Sequence, residues 1–350
     1  MPTGELRALL EELSPPARVR RIMATPGARD HLTWKALADR GLLGGSVSDM
    51  AAVAEELGAV LACVPFLTSA VLATGALSAA GGDGAAEYLA AVATGSTVAT
   101  VAFTGSDGRW GDEPTLTATP AAGGGFALDG TVSHVVDGHN ADLVLAAARE
   151  PAGIRLFAVD GDAPGLTRTP LVTLDQTRPQ ARLEMSGVRA EALVDDGGAD
   201  GPAIVERALD LAGVALAAEA VGGARRCLEM AVAHACSRVQ FGRPIGSFQA
   251  VKHRLADVAV GVESARAASA AAARAADGET GDLSLLASTA KAWCSQVYLD
   301  AAEACVHVHG AMGFTWDHDA HLYLKRAKSS ALLFGDPAWH RRRVARLLGL

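Results

Sequence analysis

The sequence predicts a mainly α protein with a central β domain. We expect an N-terminal helical domain over residues 1–95, a small β-barrel over residues 96–198 and a C-terminal antiparallel four-helix bundle over residues 199–350. Apolar residues recur at helical spacing in the first and last blocks, whereas the middle block consists of short β-type runs separated by Gly, Pro and Asp. Strands grouped between helical blocks indicate a small barrel or sandwich inserted in an α protein.

Size and composition narrow the class of protein. The chain has 350 residues, of which half are hydrophobic and only 5% aromatic, so Ala, Leu and Val must fill the core. The net charge of −8 argues against nonspecific nucleic-acid binding, which needs a basic surface. The five cysteines are odd in number and form no C-x-x-C pair, which predicts reduced thiols. We therefore expect a cytoplasmic protein that binds no nucleic acid.

The N-terminal block predicts helices and no membrane insertion. Met1–Leu13 carries acidic residues and no apolar core, which is atypical of a secretory signal. Trp34–Gly44 and Met50–Leu61 have apolar residues at helical spacing. Leu57–Gly82 contains no charged residue and is long enough to cross a bilayer, but a proline interrupts it and small polar residues dilute it. We interpret it as two buried helices joined at Val64–Pro65.

The middle block contains four β-type runs. They are Thr97–Phe103, Gly125–Ser133, Asp142–Ala147 and Gly153–Val159. The three glycines from Gly123 to Gly125 predict a hairpin turn. Neither G-x-G-x-x-G after a strand nor G-x-x-x-x-G-K occurs, so the sequence carries neither of these nucleotide-binding motifs.

The C-terminal block predicts three long helices and a shorter pair. The long helices cover Ala203–Gln240, Phe248–Asp277 and Leu283–Val308, and the pair runs from Ala320 to Leu348. Alanine stripes on these segments permit antiparallel helices to approach closely, as in a bundle.

The break between the first two long helices holds the most distinctive run of the chain, R-V-Q-F-G-R-P-I-G-S-F-Q-A-V-K-H-R-L-A-D at Arg238–Asp257. Phe241–Pro244 include a Gly and a Pro that interrupt a helix, which predicts a tight turn. Ser247 is placed to cap the helix that follows. A helix N-terminus beside two arginines suits a phosphate or pyrophosphate. A solvated turn between helices is the alternative.

This run resembles the R-x-x-F-G-x-x-I-x-x-F-Q-x-x-x-x-x-L-A-D motif of the acyl-CoA dehydrogenase family. A second run, H-V-H-G-A-M-G-F-T-W-D-H-D-A-H-L-Y-L-K-R-A-K at His307–Lys328, is similar to the family's Q-x-x-G-G-x-G-(F/Y)…R-D-A-K stretch. The resemblance implies FAD as cofactor, an acyl-CoA substrate and an electron-transfer acceptor. In the family's tetramers, both motifs reach into the flavin site of a neighbouring chain. The matching positions here are Arg238, Phe241, Gln249, His307, Gly310 and Ala311.

Two motifs that face the flavin ring in the family differ more from its pattern. The T-E-P-x-x-G-S-D loop corresponds to Phe103–Asp107, which retains G-S-D without Glu-Pro. The W-I-(T/S)-N-G motif corresponds to His134–Gly138, which lacks the aromatic ring and the hydroxyl. The resemblance thus implies that the dinucleotide-facing motif is preserved while the ring-facing motifs are eroded.

The family reaction is α,β-dehydrogenation of a thioester, which begins when a carboxylate removes the α-proton. The two positions where relatives carry that glutamate are Phe334 and Ala212 here, and neither side chain takes up a proton. Asp336 and Asp210 lie two positions from them, so a gap would bring in an acid. Asp317 is the remaining candidate base, and a structural acid is the alternative. The nearby histidines match no recognised metal-ligand spacing, and we predict no metal site.

The favoured interpretation is one subunit of a heteromeric acyl-CoA dehydrogenase. It would complete the FAD site of a second acyl-CoA dehydrogenase-like chain that holds the base in a heterotetramer. This resembles the shorter subunits of actinobacterial steroid-CoA dehydrogenases and implies steroid side-chain or fatty-acid degradation. Two alternatives stay open: a self-sufficient homo-oligomer that uses Asp317 or a shifted acid, and a flavin-free scaffolding pseudoenzyme.

Overall fold

The computed structural model describes residues 3–25, 27–107, 114–194, 201–279 and 281–350. The chain divides into two compact units. The helical unit comprises Met1–Arg20, Ser46–Ala62 and Gly213–Leu350, and the barrel unit comprises Arg21–Gly45 and Cys63–Ala212. The three-domain division expected from the sequence stays a prediction, and its boundary at residues 198 and 199 falls outside the described residues.

The described residues form eleven α-helices and nine strands. The helices are α1 (Thr3–Leu13), α2 (Pro16–Met23), α3 (His31–Ala38), α4 (Val47–Ala59), α5 (Thr74–Ala80), α6 (Gly82–Ala93), α7 (Gly201–Ser237), α8 (Gln249–Ala276), α9 (Leu283–His309), α10 (Ala320–Leu332) and α11 (Pro337–Leu347). The strands are β1 (Ala99–Ala102), β2 (Leu116–Pro120), β3 (Phe126–Val136), β4 (Leu143–Glu150), β5 (Gly153–Asp160), β6 (Leu166–Pro170), β7 (Gln180–Ala192), β8 (Val239–Gln240) and β9 (Arg243–Pro244). A π-helix covers Phe66–Ala73, and 3-10 turns cover Ile245–Ser247 and Gly310–Phe314.

The predicted order of helices, strands and helices is confirmed, and the protein is mostly helical. The long helices and the shorter pair expected in the C-terminal block are present as α7 to α11, with every compared end within three residues of its predicted position. Within the segment expected to hold two buried helices, α4 ends at Ala59 and the π-helix begins after Pro65, which is its N-cap residue. Of the described helices, none is long and apolar enough to cross a membrane.

The predicted β-barrel is confirmed as a closed ring of five strands. Its order is β4, β2, β3, β7 and β5, and β5 pairs with β4 to complete the ring. β1 adds to β4 in parallel, and β6 adds to β7. Leu128, Phe157 and Leu183 are fully buried among the apolar side chains of its core. The predicted glycine hairpin joins β2 to β3, with positive φ at all three glycines.

The sequence analysis missed three strands of this sheet, which are β2, β6 and β7. β6 has no buried residue, so it lacks the apolar face that marks a strand. Buried and exposed side chains do alternate along β7, with Ala181, Leu183 and Met185 buried. The alternation is interrupted at Ser186 and Gly187, which are both exposed. Gly187 takes a positive φ of 60°, which breaks the two-residue period from which strands are predicted.

Two glycines let α4 and α7 pack backbone against backbone in the helical unit. A Cβ atom on Gly58 would lie 2.2 Å from the carbonyl oxygen of Glu219, and one on Gly222 would lie 1.7 Å from the carbonyl oxygen of Glu55. Both distances are far shorter than a van der Waals contact, so the helices can approach this closely only because these positions carry no side chain.

We expect Gly222→Ala to destabilise the protein by about 1–3 kcal/mol or more, because the backbone of α4 must move to admit the methyl group. The matched control is Gly213→Ala on the same helix. Its Cβ would meet Ala287 at an ordinary 3.8 Å, and the helix propensity of alanine favours it by about 0.5–1 kcal/mol. Urea unfolding of both variants measures the difference, and equal stabilities would contradict the close approach of α4 and α7.

Candidate functional site

The turn expected between α7 and α8 is a two-residue β-hairpin. β8 pairs with β9, and Phe241 and Gly242 form its loop with φ values of 54° and 74°. Two positive φ values are what a tight hairpin loop of this length requires, and they are strained for a bulky residue such as phenylalanine. The Phe241 side chain is nonetheless 92% exposed. The hairpin thus presents an apolar ring to solvent, and within the chain this ring packs edge to face against Phe248 at a centroid distance of 6.1 Å.

Arg238 and Gln249 flank this hairpin, and both are exposed. The Arg238 N–H donates to the carbonyl of His234, and its own carbonyl accepts the N–H of Ile245, each over 2.8 Å. Within the described residues, the Arg238 guanidinium makes no hydrogen bond or ion pair. Backbone hydrogen bonds therefore fix the position of Arg238 while its charge stays available.

The expectation that Ser247 caps α8 is wrong. The Ser247 hydroxyl donates instead to the carbonyl of Pro244 over 2.7 Å, inside the 3-10 turn that precedes the helix. Phe248 is the N-cap residue and has no capping side chain. The first N–H groups of α8, beginning at Gln249, are left without a side-chain cap, which is the usual setting for an anion.

The second motif segment also lies on the surface of the helical unit. His307 is exposed in the last turn of α9, Gly310 ends that helix with a φ of 63°, and Ala311 is exposed in the following 3-10 turn. Large apolar side chains follow, of which Phe314 is 71% exposed and Trp316 is 59% exposed. This run adds a second exposed apolar surface to that of Phe241.

Stacked histidines join the two motif segments. The His234 ring, in the last turn of α7, lies 4.4 Å from the His309 ring at the end of α9. The His309 ring lies 4.2 Å from that of His318, which precedes α10. The helix ends that carry Arg238 and Gly310 are thereby held side by side.

The positions of the family base hold no proton acceptor. Ala212 is fully buried on α7, and Phe334 is buried with a φ of 60°. Asp336, one of the shifted acids, is the N-cap of α11 and accepts the N–H of Trp339 over 2.6 Å. Asp210, the other, is buried on α7 in the barrel unit. Asp317 is exposed in the loop before α10.

Two buried side chains that the sequence analysis did not single out hold the turn around Phe334. Lys291 is 1% exposed, and its Nζ donates to the carbonyl of Ser330 over 2.9 Å. The His340 Nε2–H donates to the carbonyl of Phe334 over 3.0 Å. Burial, with the nearby charge of Lys291, lowers the pKa of His340 to about 3, so this imidazole is neutral. The turn that carries Phe334 is therefore pinned through its backbone.

The two ring-facing segments lie together in the barrel unit. The Thr104 hydroxyl donates to the carbonyl of Ser133 over 2.6 Å, and the Ser133 N–H donates to the carbonyl of Gly105 over 3.2 Å. The side chain of His134, where the family has tryptophan, is exposed with a φ of 58°. The His134 imidazole is therefore exposed, whereas the Thr104 hydroxyl is already engaged in a hydrogen bond within the chain.

Asp137, in the second ring-facing segment, is a buried acid to which the sequence analysis assigned no role. Thr68, from the π-helix, donates to its Oδ2 over 2.7 Å. Burial raises the pKa of Asp137 and lowers the pKa of the neighbouring His139. Of the described side chains, no group of three or more His, Cys, Asp or Glu is arranged to hold a metal ion.

Comparisons with known proteins assign this chain to a family. Residues 199–349 match the acyl-CoA dehydrogenase C-terminal domain. The chain is 34% identical to acyl-CoA dehydrogenase IpdE2 of Mycobacterium tuberculosis over 345 residues, which cover 94% of this chain and 91% of that protein. It therefore belongs to the acyl-CoA dehydrogenase family of oxidoreductases, as the sequence motifs predict.

Two solved structures agree over nearly the whole chain. The ChsE4-ChsE5 complex from Mycobacterium tuberculosis includes a chain with 30% identity and a TM-score of 0.88, covering 99% of this chain and 96% of that one. A variant of the Tcur3481-Tcur3483 steroid acyl-CoA dehydrogenase has 30% identity and a TM-score of 0.87 with the same coverage. Both of these similar proteins are complexes of two differently named chains.

Proposed function

We propose that this chain is one subunit of a heteromeric acyl-CoA dehydrogenase and completes the FAD site of a partner chain. The observation that carries the proposal is the exposed hairpin, on which Phe241 keeps a strained backbone and an almost fully exposed ring. Within the chain the ring packs edge to face with Phe248, at a centroid distance of 6.1 Å, and most of its surface faces solvent, where a partner would bury it. Each fully buried phenylalanine contributes about 1.5–3 kcal/mol to an association.

The residues around the hairpin fit a dinucleotide. Arg238 is exposed, and its carbonyl accepts the N–H of Ile245, four residues before the uncapped N-terminus of α8; a guanidinium and a helix N-terminus together suit a pyrophosphate. Phe241 and Gln249 would contact the adjoining groups, and His307, Gly310 and Ala311 would border them. FAD, when bound, supplies the hydride acceptor of the reaction. The chain's own residues bind the dinucleotide, orient it and exclude water from it.

The proton acceptor for the substrate α-carbon belongs, in this proposal, to the partner chain. Phe334 and Ala212 stand at the two family positions, and Asp336 is engaged as a helix cap. Asp317 is exposed in the single chain, which leaves its carboxylate hydrated there. The eroded ring-facing segments of the barrel unit support the same division of roles.

The similar proteins support a proposal for the substrate class and the assembly. Because the similar solved structures include a steroid acyl-CoA dehydrogenase with two named chains, we propose a bulky, steroid-type acyl-CoA and a heterotetramer. Steroid side-chain or fatty-acid degradation in the cytoplasm, with an electron-transfer acceptor for the reduced flavin, completes the proposal. The C-terminal helices would form the antiparallel four-helix bundle that the sequence predicts.

Asp317→Asn tests where the base lies. The variant is assayed for acyl-CoA oxidation after co-expression with a longer acyl-CoA dehydrogenase-like chain, beside the control Asp300→Asn at an exposed position of α9. We expect both variants to keep kcat within about twofold of the unsubstituted complex. General-base catalysis contributes about 10²–10⁴-fold, so a loss of about a hundredfold in the Asp317 variant alone would assign the base to this chain and contradict the proposal.

A further inference from the structure

The stack of His234, His309 and His318 is a second feature of this region, separate from the cofactor-contacting residues. Three imidazoles from three segments contact one another in tilted pairs, with centroids 4.4 Å and 4.2 Å apart and ring planes inclined by 33° and 46°. His309 is buried, while the other two are half-buried at its sides. Neutral imidazoles stack favourably at such distances, whereas protonated rings would repel one another across them.

Hydrogen bonds at the stack fit neutral rings. The Nδ1–H of His309 donates to the carbonyl of Cys305 over 2.7 Å. The Nδ1 of His318 accepts the N–H of Ala320, the first residue of α10, over 3.1 Å, so this nitrogen carries no proton. A proton on it would break the bond and would also place positive charge at a helix N-terminus, where the helix dipole disfavours it.

The charged groups around the stack are mixed in sign. Arg238, at the start of the hairpin, faces His234, and Arg20, from α2, faces His318. Asp319 is the acid beside His318, but its Oδ1 accepts a hydrogen bond from Arg20 over 2.7 Å, which offsets its charge. The imidazole of His321 lies near His318 and Asp319, and the ammonium group of Lys325 faces the His321 ring. Among the described groups that act on His234 and His318, Asp319 is therefore the one acid, and it is already paired with Arg20.

We propose that the His234–His309–His318 stack is a proton-sensitive latch, which holds the Gly310–Phe314 turn against the end of α7 when neutral and releases it when protonated. The release would free the turn and the first residues of α10. Its consequence for partner binding rests on the function proposed above, because the turn borders the proposed interface. The latch itself is a property of this chain alone.

The direction of the pH effect follows from the lowered proton affinity of the closed state. Burial, and then the neighbouring ring of His309, lowers the pKa of His234 and of His318 below the ordinary 6.5. At pH 7.5 both the closed and the open state are almost entirely neutral, and the latch is most stable. As the pH falls through 6.5, the open state takes up protons first, so the latch is lost with acid and not with base.

Hydrogen exchange of the purified chain tests the latch. Protection factors for the amides of 310–320, corrected for the intrinsic pH dependence of exchange, are compared at pH 7.5, 6.5 and 5.5. Each imidazole that takes up a proton on opening raises the opening constant by up to about tenfold per pH unit. We expect protection to fall by about threefold between pH 7.5 and 6.5, where the open-state rings become half protonated, and by about tenfold or more between pH 6.5 and 5.5. A flat profile down to pH 5.5 would overturn the proposal without any variant.

Variants separate the latch from general acid sensitivity. The double variant His234→Gln and His318→Asn removes two titrating rings, and asparagine retains an acceptor for the Ala320 N–H. We expect its protection to lose most of its pH dependence, with the remainder contributed by His321, whose pKa burial also lowers. His318→Asn alone should show an intermediate effect. His253→Gln, at an exposed position of α8, is the matched control and should behave as the unsubstituted chain. Unchanged acid sensitivity in the double variant would refute the latch. If the chain failed to bind a partner, these exchange results would still stand, because they are measured on the chain alone. Only the proposed function would then be contradicted.

Discussion

Replacing Arg238 by alanine is expected to weaken FAD binding by the heteromeric complex about thirtyfold. The guanidinium is available and is held in place by backbone hydrogen bonds at the start of the hairpin. A hydrogen bond that involves a charged group contributes about 2 kcal/mol, which corresponds to about a thirtyfold change in Kd. The loss should shrink at high salt, because the phosphate contact is partly screened there.

A titration of the apo complex with FAD, followed by flavin fluorescence, measures this effect. Arg342→Ala is the matched control, since it removes an exposed arginine from α11, away from the hairpin segments. Circular dichroism of both variants establishes that the fold is retained. Equal FAD affinities for the two variants would show that Arg238 does not contact the dinucleotide and would remove the main support for the proposed site.

Glu56→Ala should be the most destabilising single substitution among those considered, with a loss of about 3–5 kcal/mol. Glu56 is 1% exposed on α4 and forms two hydrogen bonds with Arg7, at 3.1 Å and 3.0 Å, and one with Arg225 at 2.8 Å. Removing the carboxylate leaves the mostly buried Arg225 guanidinium with less compensation. The loss of one partner from a buried ion pair typically costs this much free energy of unfolding.

The matched control removes another acid that pairs with the same arginine, Arg225. Glu229 also pairs with Arg225, at 3.4 Å, but its side chain is 45% exposed. Because exposed pairs contribute about 0–1 kcal/mol, we expect Glu229→Ala to be nearly neutral in urea unfolding. If the two variants lost the same stability, burial of the Glu56 pair would not be what stabilises the contact between α1, α4 and α7.

Local sequence signals predicted the elements that depend on neighbouring residues. The tight turn at Phe241–Pro244 was predicted because a Gly and a Pro interrupt a helix there, and the structure forms this turn as a two-residue hairpin. The long helices were predicted from sustained spacing of apolar residues. Ser247 was assigned wrongly because a hydroxyl two residues before a helix has a competing local acceptor, the carbonyl of Pro244, which geometry alone decides.

Contacts between residues that are far apart in the sequence could not be predicted from the sequence. Thr68 meets Asp137 across 69 positions, and Lys291 meets the carbonyl of Ser330 across 39. Neither pair leaves a periodic or motif signal, since each residue is an ordinary member of its own segment. The stack at His309 joins three segments in the same way. The candidate site residues Asp317 and His307 were identified only by resemblance, and their roles stay predictions.

The flavin-to-chain ratio is the most direct test of the shared cofactor site. It is measured by absorbance and mass for this chain purified alone, and again after co-expression with a longer acyl-CoA dehydrogenase-like chain. We expect little flavin on the chain alone and about one flavin for every two chains in the complex, because the partner stabilises the bound state. Near-full occupancy of the chain by itself would contradict the shared site and would return Asp317 as the candidate base.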